Sequence, residues 1–146
     1  MKVTLQQIQK GNEEAVIRYR QMTERIEDIV RYVEGQSEKL LVLKDGQQIL
    51  LNLPDIIYVE SVDGTTFLYT GNDVYRTNLT LFHFETLYAD HGFFRCSKSM
   101  ILNIYRIRRL KSMSASRIDA ALDNEEHIVI SRHYAKQLRN ILKGEM

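Results

Sequence analysis

The chain has 146 residues, 44% of them hydrophobic and 27% charged, which is typical of a globular protein with one domain, or one domain and a small appendage. It has one cysteine, no signal-peptide core and no apolar run near the roughly 18 residues of a membrane span. These features argue against a disulfide framework and a membrane-spanning helix, and we expect a cytoplasmic protein.

The formal net charge of +1 is unevenly distributed along the chain. Residues 1–39 hold seven Lys and Arg and seven Asp and Glu, whereas residues 40–91 hold two against seven. Residues 92–146 hold eleven against five, a net charge of +6. This asymmetry favours a polyanionic partner for the basic part, although a chance distribution of surface lysines and arginines would give the same count.

Residues 1–39 are predicted to form a β-β-α segment. Lys2–Gln9 and Ala15–Tyr19 have the pattern of short strands, and Thr23 can cap a helix that extends to Val33. The apolar positions of this helix recur at i, i+3, i+4 and i+7, and they are Ile26, Ile29, Val30 and Val33.

The end of this segment is predicted from three local signals. Glu27 and Arg31 can pair at i, i+4, Gly35 can end the helix, and residues 35–38 have the composition of a linker. Such a small unit cannot bury enough surface to be stable alone, so its apolar stripe must pack either on the β-rich part of the chain, as one core, or on a partner. We interpret residues 1–39 as a dimerisation or regulatory element.

Residues 40–146 are predicted to form a second, β-rich domain. Asp45-Gly46 and Asp63-Gly64 are strong hairpin turn signals. The strands that these turns join are Leu40–Lys44 and Gln48–Leu53, followed by Ile56–Val62 and Thr65–Thr70. Val74–Thr77 is a further strand, and Thr80 can cap a short helix that carries Leu81, Phe84, Leu87 and Tyr88.

The stretch Gly92–Asn103 is apolar at both ends and polar in the middle, at Arg95–Ser99. Phe93 and Phe94 are adjacent, so a strand would point them to opposite faces, and we expect at least one to be buried. The apolar ends would then present the polar run to solvent, where cations and small hydroxyls suit phosphate binding. A surface turn between two strands is an equally good interpretation of this segment alone.

Three strands and a helix complete the chain. The strands lie near Ile107–Met113, Arg117–Leu122 and His127–Ile130. Ser131 can cap the last helix, which carries Tyr134, Leu138 and Ile141 and closes at Gly144. The predicted fold class is therefore mostly β with small helices, an α+β arrangement.

Signals of catalysis or metal binding are missing from the sequence. The four histidines have no partner at metal-ligand spacing, and no phosphate loop, nucleophile elbow or paired-carboxylate motif is present. Cys96 lies between Arg95 and Lys98 and could have a lowered thiol pKa, but a plain semi-buried cysteine is the simpler interpretation. We expect no enzyme, no cofactor and no metal.

An ordered series of short motifs resembles the LytTR DNA-binding domain family. The motifs are Ile57–Ser61, Leu79 with Leu87, Phe93–Asn103, Ile107 and Ser131–Tyr134. The resemblance covers about residues 40–143, and residues 1–39 leave no room for the receiver domain that precedes most such domains. The chain therefore resembles the stand-alone regulators of the family. This implies double-stranded DNA as a partner, a homodimer on repeated half-sites, and a small membrane protein that restrains the regulator.

The resemblance also implies an elongated β fold that reads DNA with three loops in successive grooves. Carried over by position, the base contacts are Thr66, Lys98 and Arg132. The implied backbone contacts are Arg95, Ser97, Ser99, Ser131, His133 and Lys136. Arg132 is the safest transfer, because its guanidinium can fork onto guanine, whereas Thr66 and Ser97 depart from the longer residues common in relatives.

The leading hypothesis is thus a sequence-specific transcription regulator. The alternative is a protein-interaction module that docks an acidic partner through its basic C-terminal face. A small-molecule sensor has little support, because the sequence shows no cluster of polar residues typical of a binding pocket.

Overall fold

The computed structural model describes residues 1–34 and 38–145, with side chains to residue 143. The chain divides into two compact units, Met1–Ser37 and Glu38–Met146. The predicted helix stop at Gly35 and most of the predicted linker lie outside the described residues.

The first unit contains the helix α1, Glu24–Val33, which confirms the predicted helix. The side chain of Thr23 caps it by accepting a hydrogen bond from the N–H of Ile26 at 3.3 Å. Arg31 pairs with Asp28 at i, i+3 instead of with Glu27, the partner expected from the sequence.

The prediction of two strands before α1 is wrong. Residues 2–9 and 15–19 form neither strand nor helix, and apart from the half-buried Ile17 their apolar side chains are open to solvent, with Val3 77% and Leu5 92% exposed. A pair of short strands is marginally stable at best without a third strand or a packed face. The alternation of Val3 and Leu5 was therefore too weak a signal to predict a strand.

The second unit contains two antiparallel sheets. The larger has the order β2-β1-β5-β4-β3-β7-β6 and the smaller the order β10-β9-β8. The strands are β1 Lys39–Lys44, β2 Gln47–Asn52, β3 Tyr58–Val62, β4 Thr65–Tyr69, β5 Val74–Thr77, β6 Phe93–Ser97, β7 Met100–Asn103, β8 Ile107–Ser112, β9 Ile118–Leu122 and β10 His127–Ile130. The α-helices of this unit are α2 Leu81–Tyr88 and α3 Arg132–Glu145, and short 3₁₀ turns occupy Leu53–Asp55, Ala89–His91, Ile104–Arg106 and Ser114–Ser116.

The mostly β fold with small helices is confirmed. Both predicted hairpins are present, and their turns place Asp45 and Asp63 at φ 50° with the following glycines also at positive φ. The Thr80 hydroxyl caps α2 by accepting from the N–H of His83 at 3.1 Å. In the part of the chain that the structure describes, no helix is both long and apolar enough to cross a membrane.

The strands β6 and β7 separate two hydrophobic cores. Phe93 and Ile101 belong to the first core, which includes Phe84 and Tyr88 of α2. Phe94 and Leu102 belong to the second core, whose other members come largely from β9, β10 and α3. The expectation that the adjacent phenylalanines face opposite sides is confirmed, since both are buried and each lies in a different core.

A buried asparagine fastens the end of β7 to the chain before β3. The side-chain amide of Asn103 donates to the carbonyl of Ile56 at 2.9 Å, and its oxygen accepts from the N–H of Tyr105 at 3.1 Å. The backbone N–H of Asn103 also donates to the carbonyl of Ile57 at 2.9 Å. Asn103 is only 2% exposed, so these bonds satisfy a polar side chain that burial would otherwise penalise.

Gly92 precedes β6 in a conformation that requires glycine. Its φ is +84°, and a Cβ atom built there would lie 2.5 Å from the Cε2 atom of the Tyr105 ring. The chain thus enters β6 beneath an aromatic ring that leaves no room for a side chain.

We predict that Phe93→Ala and Phe94→Ala each lower the free energy of unfolding by about 3–5 kcal/mol, because each change opens a cavity in a separate core. Phe82→Ala is the matched control, because Phe82 is 68% exposed on α2. Thermal melts of the three variants test the prediction, and unshifted midpoints for both core variants would contradict it.

Candidate nucleic-acid interface

Two backbone hydrogen bonds bring the three predicted loops to one edge of the second unit. The N–H of Ser61, at the end of β3, donates to the carbonyl of Ser99 at 2.8 Å. The N–H of Ser131, just before α3, donates to the carbonyl of Cys96 at 3.3 Å. The end of β6 and the loop that follows it therefore lie between the other two loops and are bonded to both.

The first loop is a tight turn between β3 and β4 whose exposed residues are Val62, Asp63 and Gly64. Thr66 lies within β4, two residues before the core residue Leu68, and is only 5% exposed. Because side chains alternate along a strand, Thr66 and Leu68 face the same side. The side chain of Thr66 is thus directed into the fold, and the exposed tip carries a carboxylate.

The second loop exposes Lys98 and Ser99, while Arg95 is engaged within the loop. The Nε of Arg95 donates to the carbonyl of Ser97 at 2.8 Å, and its guanidinium also donates to the carbonyl of Lys98. The Nη1 of Arg95 lies 3.2 Å from the carboxylate of Glu85 on α2. Arg95 therefore braces the loop from inside, a role that differs from the predicted backbone contact.

The bracing role of Arg95 was missed although alternation along β6 indicates it. Residues 93 and 95 share one face of β6, ahead of the shift in pairing between Arg95 and Ser97, and Phe93 packs edge-on against Phe84 of α2 at a centroid distance of 5.0 Å. Arg95 therefore faces α2, where Glu85 follows Phe84. In the same loop the Ser97 hydroxyl accepts from the N–H of Ser99 at 3.3 Å, which further orders the turn.

Cys96 is fully buried beneath the second loop. Its Sγ lies 3.5 Å from the carbonyl oxygen of Met100, and burial raises the pKa of the thiol to about 12. The neighbouring Arg95 opposes this shift but is the weaker influence. The suggestion that the pKa of the Cys96 thiol is lowered is therefore wrong. Cys96 is a buried thiol with little tendency to ionise.

The third loop is the start of α3. Arg132, His133 and Lys136 are exposed, whereas Ala135 and Leu138 of the same helix are buried in the second core. The carbonyl of Ser131 accepts from the N–H groups of residues 134 and 135 at 3.0 Å, which fixes the first turn of the helix. The two cations thus extend to solvent from a helix that is anchored on its opposite face.

The exposed cations of this edge take part in no ion pair within the described part of the second unit. In residues 38–143, none of the ion pairs involves Lys98, Arg132 or Lys136. The edge therefore combines two cation-bearing loops with small hydroxyl groups, a combination that can bind phosphates.

The sequence pattern that defines the LytTr DNA-binding domain matches residues 46–143. Sensory transduction protein LytT of Bacillus anthracis is 30% identical over 111 residues, which are 76% of this chain and 45% of LytT. Transcriptional regulatory protein YpdB of Escherichia coli K12 is 25% identical over 75% of this chain and 46% of YpdB. The chain thus spans about half the length of these curated relatives.

Two further relatives match over a larger share of their own length. An HTH-type transcriptional regulator of Staphylococcus aureus is 26% identical, and the match covers 83% of each chain. The solved LytTr DNA-binding domain of a Bacillus cereus protein superposes with a TM-score of 0.68 at 24% identity, and covers 73% of this chain and 97% of its own. This structural likeness shows that the two chains share a fold.

The bracing role of Arg95 predicts that two neighbouring cations differ in their effect on stability. Arg95→Ala should lower the free energy of unfolding by about 1–3 kcal/mol, because it removes several charge-assisted hydrogen bonds of a half-buried guanidinium. Lys98→Ala should leave the melting temperature unchanged, since Lys98 is exposed and makes no ion pair within residues 38–143. Equal melting temperatures for the two variants would show that Arg95 does not brace the loop.

Proposed function

The chain belongs to the LytTr DNA-binding domain family, and from this membership we propose that it is a sequence-specific DNA-binding transcription regulator. The observation that carries the proposal is the edge on which the second loop and the start of α3 lie together, with Lys98, Arg132 and Lys136 exposed and in no ion pair within residues 38–143. Fixed cations of this kind release counterions when they meet the phosphates of a duplex, which is the main source of non-specific affinity for DNA.

The proposed contacts divide into base reading and positioning. Arg132 reads guanine through its forked donors, and Lys98 contacts a phosphate or a groove edge. Ser97, Ser99, Ser131, His133 and Lys136 are the proposed sugar-phosphate contacts. Hydroxyl, imidazole and ammonium groups can donate hydrogen bonds to phosphate oxygens. Such contacts fix the position of the protein on the duplex and do not read its sequence.

The burial of Thr66 does not support a base contact from its side chain. We place the contact of the first loop at its exposed tip, around Asp63 and Gly64. Arg95 supports the second loop from inside, so it acts on DNA through the position of Lys98. Arg132 therefore remains the proposed base contact with the clearest support from its surroundings.

The proposal includes a cytoplasmic homodimer that binds two repeated half-sites. Residues 1–34 contain the helix α1, in which Ile26 is buried while Val33 remains 57% exposed. A ten-residue helix has little stability without packing partners, which supports a role for this segment in pairing two copies. A small membrane protein that restrains the regulator is a further proposed partner of the same segment.

The alternative is a protein-interaction module that docks an acidic partner through the same basic region. The two functions differ in their response to salt and sequence. Selection of bound sequences from a random duplex pool would yield a consensus only for the regulator. Binding to plain duplex should weaken steeply with salt through counterion release.

Arg132 and Lys98 should differ in their effect on sequence preference. Arg132→Ala is expected to weaken binding to the selected site by about 1–3 kcal/mol and to relax the preference at one base position. Lys98→Ala, as mainly a phosphate contact, should weaken binding to all duplexes alike and lower the salt slope by about one unit. Both effects are measured by fluorescence anisotropy on matched and single-substituted duplexes, and unchanged binding in both variants would contradict the proposed interface.

A chain that begins at Glu38 should remain folded, because both hydrophobic cores are built from residues after position 39. We expect it to bind one half-site as the full chain does, and to lose dimerisation and two-site cooperativity. Sedimentation and binding to duplexes with one or two half-sites test this. Unfolding of the shortened chain would show that residues 1–37 belong to the core, and unchanged dimerisation would show that they do not pair the copies.

A further inference from the structure

A fourth loop lies at the edge that carries the three proposed DNA-reading loops. In the smaller sheet the end of β8, Ser112, is paired with Ile118 at the start of β9, and Ile118 is paired with Ile130 at the end of β10. Ser131 and α3 follow Ile130 directly. The turn that joins β8 to β9, Met113–Arg117, is therefore beside the first turn of α3, and its 3₁₀ segment contacts that helix.

The backbone of this turn is held in one conformation. The N–H of Met113 donates to the carbonyl of Arg117 at 2.9 Å, and Nε of Arg117 donates to the carbonyl of Ser114 at 3.2 Å. Ala115 and Ser116 have φ angles of 59° and 60°, which is uncommon for residues with a side chain. The result is a compact tip of three small, exposed residues, with the Arg117 guanidinium folded against it.

Lys111 stands next to this turn on the outer face of the smaller sheet. It is paired in register with Asp119, but the carboxylate of Asp119 lies 2.8 Å from Nδ1 of His127. Lys111 is exposed and forms none of the ion pairs found within residues 38–143. Like Lys98 and Arg132, it is therefore a cation that the fold leaves available to an anion.

We propose that Lys111 and the turn Met113–Arg117 form a fourth contact with the duplex, to the sugar-phosphate backbone beyond the bases that α3 reads. The inference rests on the proposed DNA-binding function. Neighbouring strands are about 4.8 Å apart, so β8 lies roughly 10 Å from β10, a distance of about three base pairs along a duplex. Small side chains at the tip allow close approach, and Lys111 and Arg117 supply the positive charge.

The test uses the full chain and compares two cations of the same strand. Lys111→Ala should weaken binding to every duplex by up to about eightfold at 0.1 M salt and lower the salt slope by about one unit, as expected for one lost phosphate contact. Arg108→Ala is the matched control, because Arg108 lies toward the other end of β8, where it donates to the carbonyl of Asp123 at 3.3 Å. We expect its affinity to stay within about twofold of the wild type, since screening over a Debye length of about 10 Å weakens distant charges.

A hydroxyl-radical footprint locates the contact on the DNA. Wild-type protein should protect sugars on the outer flank of the base pairs that respond to Arg132→Ala, and Lys111→Ala should lose protection only there. Ser116→Glu, which adds a negative charge at the exposed tip, should give the same local loss and a larger fall in affinity. Melting temperatures like that of the wild type would show that both variants are folded.

The outcomes separate this inference from the function on which it rests. Sequence-dependent binding that is sensitive to Arg132→Ala, with equal effects of Lys111→Ala and Arg108→Ala, would overturn the fourth contact and leave the regulator intact. Failure of the wild-type chain to bind any duplex would overturn the proposed function itself. A local loss of protection in Lys111→Ala that Arg108→Ala does not show would establish the fourth contact.

Discussion

The structure of the second unit depends on the burial of β6 and β7 on both of their faces. Phe93 and Ile101 pack into one core while Phe94 and Leu102 pack into the other. Each such side chain contributes about 1.5–3 kcal/mol when it is removed from water, and a shift of either strand would disturb both cores at once. The polar loop between these strands is consequently fixed by the most constrained part of the fold.

The rigidity of this loop extends to its neighbours through short polar contacts. Arg95 fastens the loop to α2, Ser99 accepts a bond from the end of β3, and Cys96 accepts one from the start of α3. A surface that is already ordered loses less conformational entropy when a ligand binds, so more of each contact appears as affinity. The proposed DNA-reading groups are thus positioned by bonds made within the protein before any duplex arrives.

Local signals in the sequence predicted most of the elements, and long-range packing decided the rest. Hairpins at the two Asp-Gly turns and the cap at Thr80 follow from backbone preferences of a few residues, so they were predictable. The resemblance implied a base contact at Thr66, although Thr66 lies in the predicted strand Thr65–Thr70, because which face of a strand is buried depends on residues that are distant in the sequence. Arg95 was taken for a surface cation because its partner Glu85 is ten residues away on another element.

Charge is unevenly distributed among the three loops that are proposed to contact DNA. The exposed tip of the first loop carries Asp63, whereas Lys98 and Arg132 project from the two loops beside it. A carboxylate near phosphates is repelled, and at physiological salt that repulsion acts over about 8 Å. The first loop would therefore approach the duplex only because the other two hold it there. In the proposed complex, affinity would come from the cations of the other two loops.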